Sequence, residues 1–110
     1  MRLRFLYTPV PDLSAGLAWY RDVLGWDEAW REGEDTVAFR IPGSDLQVML
    51  STEPDPAGPM YEVENLERFL AEHPAMKVAS PPRPIPDGSV ATITDPAGNV
   101  IFVFDQARPD

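Results

Sequence analysis

Residues 10–25, VPDLSAGLAWYRDVLG, decide the reading of this chain. Leu13, Leu17, Tyr20 and Leu24 fall at i, i+4, i+7 and i+11, which is one face of a 3.6-residue period. Asp12 stands where an N-cap belongs and Gly25 where a helix stops. The spacing predicts a helix from Leu13 to Leu24. The same opening returns as Val63-Glu64-Asn65-Leu66, at an offset of 63 − 10 = 53 residues, and Leu70 answers Leu17 at that offset. A second helix follows, with Leu66, Phe69, Leu70 and His73 on one face, Asn65 as its cap and Pro74 as its end.

Outward from these helices the chain reads as short strands. Residues 3–10 precede the first helix; residues 27–32, 36–41 and 46–50 follow it, turning at Gly33 and at Pro42-Gly43. Residues 52–59 (TEPDPAGP) hold three prolines and a glycine and read as a linker. Residues 58–63 enter the second helix. Residues 77–86 are extended and proline-rich, which predicts an edge strand. Residues 89–94 and 100–104 flank the turn Asp95–Asn99, where Gly98 suits a positive φ. Pro42-Gly43 before Leu46-Gln47-Val48 is answered by Ala97-Gly98 before Ile101-Phe102-Val103, at 98 − 43 = 55. Each half is therefore strand, capped helix, three strands. The expectation is an α+β fold of two βαβββ modules, 1–51 and 57–106, in one domain of 110 residues.

Composition excludes several functions. Apolar residues make up 44% and charged ones 25%, as in an ordinary globular domain. The net charge of −9 argues against a nucleic-acid partner, which needs clustered Lys and Arg. It favours solubility and is compatible with a cationic ligand. There is no cysteine, so disulfides and thiolate chemistry are excluded, which fits a cytoplasmic protein. Met1–Phe5 alternates polar and apolar; neither a signal peptide nor a membrane span is expected. No phosphate-binding loop, nucleophile elbow, zinc-protease or dinucleotide motif occurs. The one histidine, His73, lies on a helix, which leaves no triad.

VPDLS at 10–14 with WYRDVLG at 19–25 resembles the first module of the vicinal-oxygen-chelate superfamily, and DPAGN at 95–99 resembles its closing hairpin. That superfamily includes glyoxalase I, extradiol dioxygenases, fosfomycin-resistance enzymes and bleomycin-binding proteins. The resemblance implies a cupped mixed sheet with helices outside, a site inside the cup, and a homodimer. Metal-dependent members carry His, Glu or Gln on the first and last strand of each module. Carried over, those positions are Phe5, Gln47, Gly58 and Phe102. Only Gln47 could hold a cation, and a metal site needs roughly three protein ligands. The expectation is therefore no metal and no cofactor.

Strand alternation adds Tyr7, Met49, Met60, Glu62 and Phe104 to the same inward face. Such a lining suits a small apolar or flat aromatic ligand, and the acidic chain admits a cationic one. Trp30 either walls that site or caps the core, as does Trp26; Trp19 reads as packing. The alternatives are a metal-independent lyase or isomerase using Glu62 or Tyr7 as acid/base, and a filled cup that serves only dimerisation. No catalytic residue is assigned.

Overall fold

A computed structural model describes residues 1–106 of the chain. It divides into two compact units, one of Arg4–Ala57, the other running from Gly58 onward together with Met1–Leu3.

The first unit contains β1 (Arg2–Pro9), α1 (Leu13–Leu17), β2 (Glu28–Glu32), β3 (Thr36–Arg40) and β4 (Gln47–Ser51). Its strands lie in the order β2-β3-β4-β1, with β1 parallel to β4 and the other neighbours antiparallel. Asp12 caps α1 by accepting from Ser14 N at 3.0 Å. Beyond Leu17 the helix widens. Ala18–Val23 is π-helical, and Leu24 N donates to Trp19 O at 2.9 Å, five residues back. This winding turns the chain less per residue than an α-helix does, so later side chains lag behind the expected stripe. Leu13, Leu17 and Tyr20 keep to the core. Leu24 is 39% exposed and Trp19 48% exposed, which corrects the expectation that both are packed. Tyr20 stacks on Phe39 at 5.7 Å and meets Trp26 at 5.7 Å, so Trp26 caps the core. Beneath lie Val37, Phe39, Val48 and Leu50.

The second unit contains β5 (Gly58–Glu62), α2 (Leu66–Glu72), β6 (Lys77–Ile85), β7 (Gly88–Thr94) and β8 (Val100–Asp105), with strands in the order β5-β8-β7-β6. Asn65 caps α2 by accepting from Arg68 N at 2.9 Å. Leu66, Val63, Ala91, Ile93 and Val103 form the core under that helix. Asp105 is buried at 3% exposure. Its carboxylate accepts from Leu66 N at 2.7 Å and from Ser89 N at 3.1 Å, tying the entry of α2 to β7 and β8. The proline-rich β6 pairs with β7 alone, at the edge, as expected. Its register shifts on both sides of Ser80, next to Pro81 and Pro82, which have no N–H to give a ladder. The Asp95–Asn99 turn forms as read, with Gly98 at φ 88°.

Both modules follow one internal register. Phe5 faces Gln47 and Tyr7 faces Met49; Met60 faces Phe102 and Glu62 faces Phe104. Val10 N donates to Ser51 O, and Val63 N to Phe104 O, so the 53-residue offset of the helices extends to the last strands. The 55-residue offset drawn from the turn glycines does not. Gly43 precedes Gln47 by four residues and Gly98 precedes Val100 by two, because the hairpin loops differ in length. The residue that answers Gln47 is thus Val100, with Phe102 two residues on along the same face.

Candidate functional site

Val48 and Leu50 belong to the core under the first helix, so Gln47 and Met49 point to the opposite face of the sheet. Phe5 and Tyr7 are their ladder partners and share that face. Trp30 reaches it by an irregularity. Glu28 pairs with Phe39, and regular antiparallel pairing would set Trp30 opposite Val37, on the helix side. A bulge at Ala29 sets Trp30 opposite Ala38 instead, and its ring turns to the other face.

These residues meet. Trp30 Nε1 donates to Gln47 Oε1 at 2.8 Å, and the Trp30 ring stands edge-on to Phe5, with centroids 5.9 Å apart at 90°. The Arg4 guanidinium lies 5.8 Å from the centroid of the Phe5 ring. Tyr7 Oη donates to the Glu53 carbonyl at 3.4 Å, a long bond. Phe5 and Tyr7 are buried; Trp30, Gln47 and Met49 are half-buried. Trp30 is therefore no part of the helix-side core.

An indole N–H can only donate, so the amide edge facing it must be the carbonyl. That leaves Gln47 Nε2 with its two N–H groups. Among the described residues no acceptor meets it, and it keeps contact with solvent. On the same edge strand, Glu28 and Arg31 pair through two bonds of 2.7 and 2.9 Å, and Arg40 Nη1 donates to Glu28 O at 2.9 Å. The Arg31 hydrogen bond holds the Glu28 carboxyl below the usual range. These bonds steady the edge strand that carries Trp30.

In the second unit, Ala91, Ile93 and Val103 lie under α2, so Phe102 and Phe104 face away from it with their partners Met60 and Glu62. Met60, Phe102 and Phe104 are buried at 8%, 2% and 1% exposure; Glu62 is half-buried. Gly58 has a packing reason: a Cβ there would stand 2.8 Å from Val100 O and 3.3 Å from the Phe102 ring. His73 ends α2, with Nδ1 2.8 Å from Phe69 O and its ring against Phe69. It borders a cavity of about 880 Å3 that also takes in Met76, Lys77, Ile93, Asp95 and Ile101. None of the expected site residues lines that cavity.

The positions that hold a divalent ion in metal-dependent relatives do not fit one here. Phe5, Gly58, Val100 and Phe102 offer no side-chain lone pair, and Gln47 Oε1 already accepts from Trp30. Among the described residues, no three His, Cys, Asp or Glu stand together as a ligand set.

The sequence profile of the Glyoxalase/Bleomycin resistance protein/Dioxygenase superfamily matches residues 3–103. The chain belongs to this superfamily. Solved structures agree on the fold. A glyoxalase/bleomycin resistance protein/dioxygenase superfamily member from Vibrio splendidus is similar at 16% identity and TM-score 0.68, covering 94% of this chain and 98% of that one. Methylmalonyl-CoA epimerase from Mycobacterium tuberculosis is similar at 19% identity and TM-score 0.65, covering 94% and 87%. A protein from Legionella pneumophila titled an NAD-dependent benzaldehyde dehydrogenase is similar at 12% and 0.73, covering 92% and 96%. Identities this low speak to the fold alone. No curated protein matches the chain. Among the described residues, no helix of this superfamily member is long and apolar enough to cross a membrane.

Proposed function

We propose that this superfamily member is a metal-independent binding protein for a small flat apolar or aromatic molecule, held on the sheet face that carries Trp30, Phe5 and Gln47. The observation that carries the reading is the Trp30–Gln47 bond. It fixes a half-buried indole edge-on to Phe5, and it takes one of the two lone pairs of the Gln47 carbonyl, the single side-chain oxygen at the family's ligand positions. A fixed aromatic wall beside a single amide suits stacking plus one directional bond. No observation favours acid/base catalysis: the Tyr7 hydroxyl is directed at a backbone carbonyl, and Glu62 belongs to the other unit. A cytoplasmic homodimer is part of this reading, supported by the family resemblance and the absence of cysteine.

The test has two arms. Elemental analysis of purified protein is expected to find no stoichiometric nickel, zinc, iron or manganese; one equivalent of any of them overturns metal independence. Titration with a panel of bicyclic aromatics is expected to quench tryptophan fluorescence saturably, and Trp30→Phe is expected to remove most of the quench. Absence of saturable quenching across the panel overturns the binding reading.

A further inference from the structure

We infer that Gln47 reads its ligand as a hydrogen-bond donor, so that the site selects a flat ring bearing an acceptor atom, with Trp30 as the positioning residue that holds the amide in that sense. The inference rests on the binding reading above and names the ligand class for it.

A glutamine amide is ambivalent, since it can turn either its carbonyl or its NH2 toward a ligand. Here one neighbour removes the choice. The Trp30 indole has a hydrogen to give and no lone pair to take one, and at 2.8 Å it claims Oε1. Flipping the amide would set Nε2–H against Nε1–H and lose the bond. The bulge at Ala29 and the edge-on contact with Phe5 hold the indole where it makes that demand. Gln47 therefore turns its two N–H groups away from the indole, while its carbonyl oxygen is held on the Trp30 side with one of its two lone pairs taken. Of its neighbours on the face, Phe5, Ala38 and Met49 bring no strong acceptor; Tyr7, opposite Met49, donates to Glu53 O and keeps its oxygen lone pairs. A ring nitrogen or carbonyl oxygen completes the amide. An ammonium or other cation meets the positive end of its dipole. The charge of −9 draws cations toward the protein at long range, but the local group opposes them, and at about 0.15 M salt the long-range term is largely screened beyond roughly 8 Å.

Three probes of nearly one shape separate these effects: naphthalene with no polar atom, quinoline with an acceptor nitrogen, and N-methylquinolinium with a fixed charge and no acceptor. Calorimetry at pH 8 and about 0.15 M salt is expected to show quinoline binding about threefold to tenfold tighter than naphthalene, the range of one net hydrogen bond. N-methylquinolinium is expected to bind more weakly than quinoline. Gln47→Glu replaces the donor with an anionic acceptor and is expected to reverse the order of quinoline and N-methylquinolinium. Trp30→Phe frees the amide to turn, so the ratio between those two is expected to narrow, whereas loss of a stacking ring alone would weaken all three probes alike. If wild-type protein binds naphthalene and quinoline equally, the inference falls while the binding reading stands. If none of the three binds saturably, both fall.

Discussion

Removing the Asp105 carboxylate tests how the second module is held together. The two backbone N–H groups it serves, Leu66 N at 2.7 Å and Ser89 N at 3.1 Å, lie in buried surroundings. In Asp105→Ala each loses its acceptor, at about 1–3 kcal/mol per buried donor left unmet. The Ser89 hydroxyl, 3.5 Å away, is at the limit of a bond and contributes little. The expected loss is thus about 3–5 kcal/mol, a large share of the roughly 5–15 kcal/mol that stabilises a domain of this size. Relief of one negative charge in an acidic chain offsets a small part. Asp105→Asn keeps one carbonyl oxygen and is expected to lose about half as much. Urea unfolding at pH 7, followed by far-ultraviolet circular dichroism, reads this as a midpoint shift on the order of 2 M for a slope of about 1–3 kcal/mol/M. A loss below about 1 kcal/mol in Asp105→Ala, with the slope unchanged, refutes the view that this carboxylate pins the start of α2.

Two further outcomes follow from the same unit. Gly88→Ala would place a Cβ 1.8 Å from the Asp105 carbonyl oxygen, a backbone atom that cannot swing aside; the expected loss in urea unfolding is at least about 2 kcal/mol, and a neutral result would mean that β7 and β8 separate easily there. The Asp95 carboxyl is held below its ordinary 3.8, first by the Asn99 side chain and then by backbone N–H groups of the turn. A depressed value stabilises the fold above the unfolded pKa, and that contribution is lost as pH falls through the folded value. Thermal melts are therefore expected to drop below about pH 4, and Asp95→Asn to flatten part of that drop.

Much of the fold was legible because local chemistry and long-range order agreed. Asp12 and Asn65 cap their helices as read, and the prolines of β6 put it at an edge. The face opposite the helices was legible from alternation alone, so Phe5, Tyr7, Gln47 and Met49 share one face, as do Met60, Glu62, Phe102 and Phe104. Three things were not legible. The π-helical stretch, within which Tyr20 packs on Phe39 and Trp26, is not encoded in the periodicity, and Leu24 and Trp19 stand outward of the expected stripe. The offset of the last strand was misread because turn glycines mark loops, and loops vary in length while ladders do not. Trp30 stayed undecided because its face depends on one extra residue in the strand.

That extra residue acts as a toggle. Side chains along a strand take sides by count, odd or even, and Ala29 changes the count just before Trp30. Excising this one alanine would leave Glu28 opposite Phe39 and Trp30 opposite Ala38 in an unbroken ladder, so the indole would keep its side and only the local kink would go. Pairing the alanine with Ala38 instead of bulging it out would push Trp30 on to Val37 and the helix side, with every residue of the strand left as it is. A comparison that scores only aligned substitutions would see nothing change.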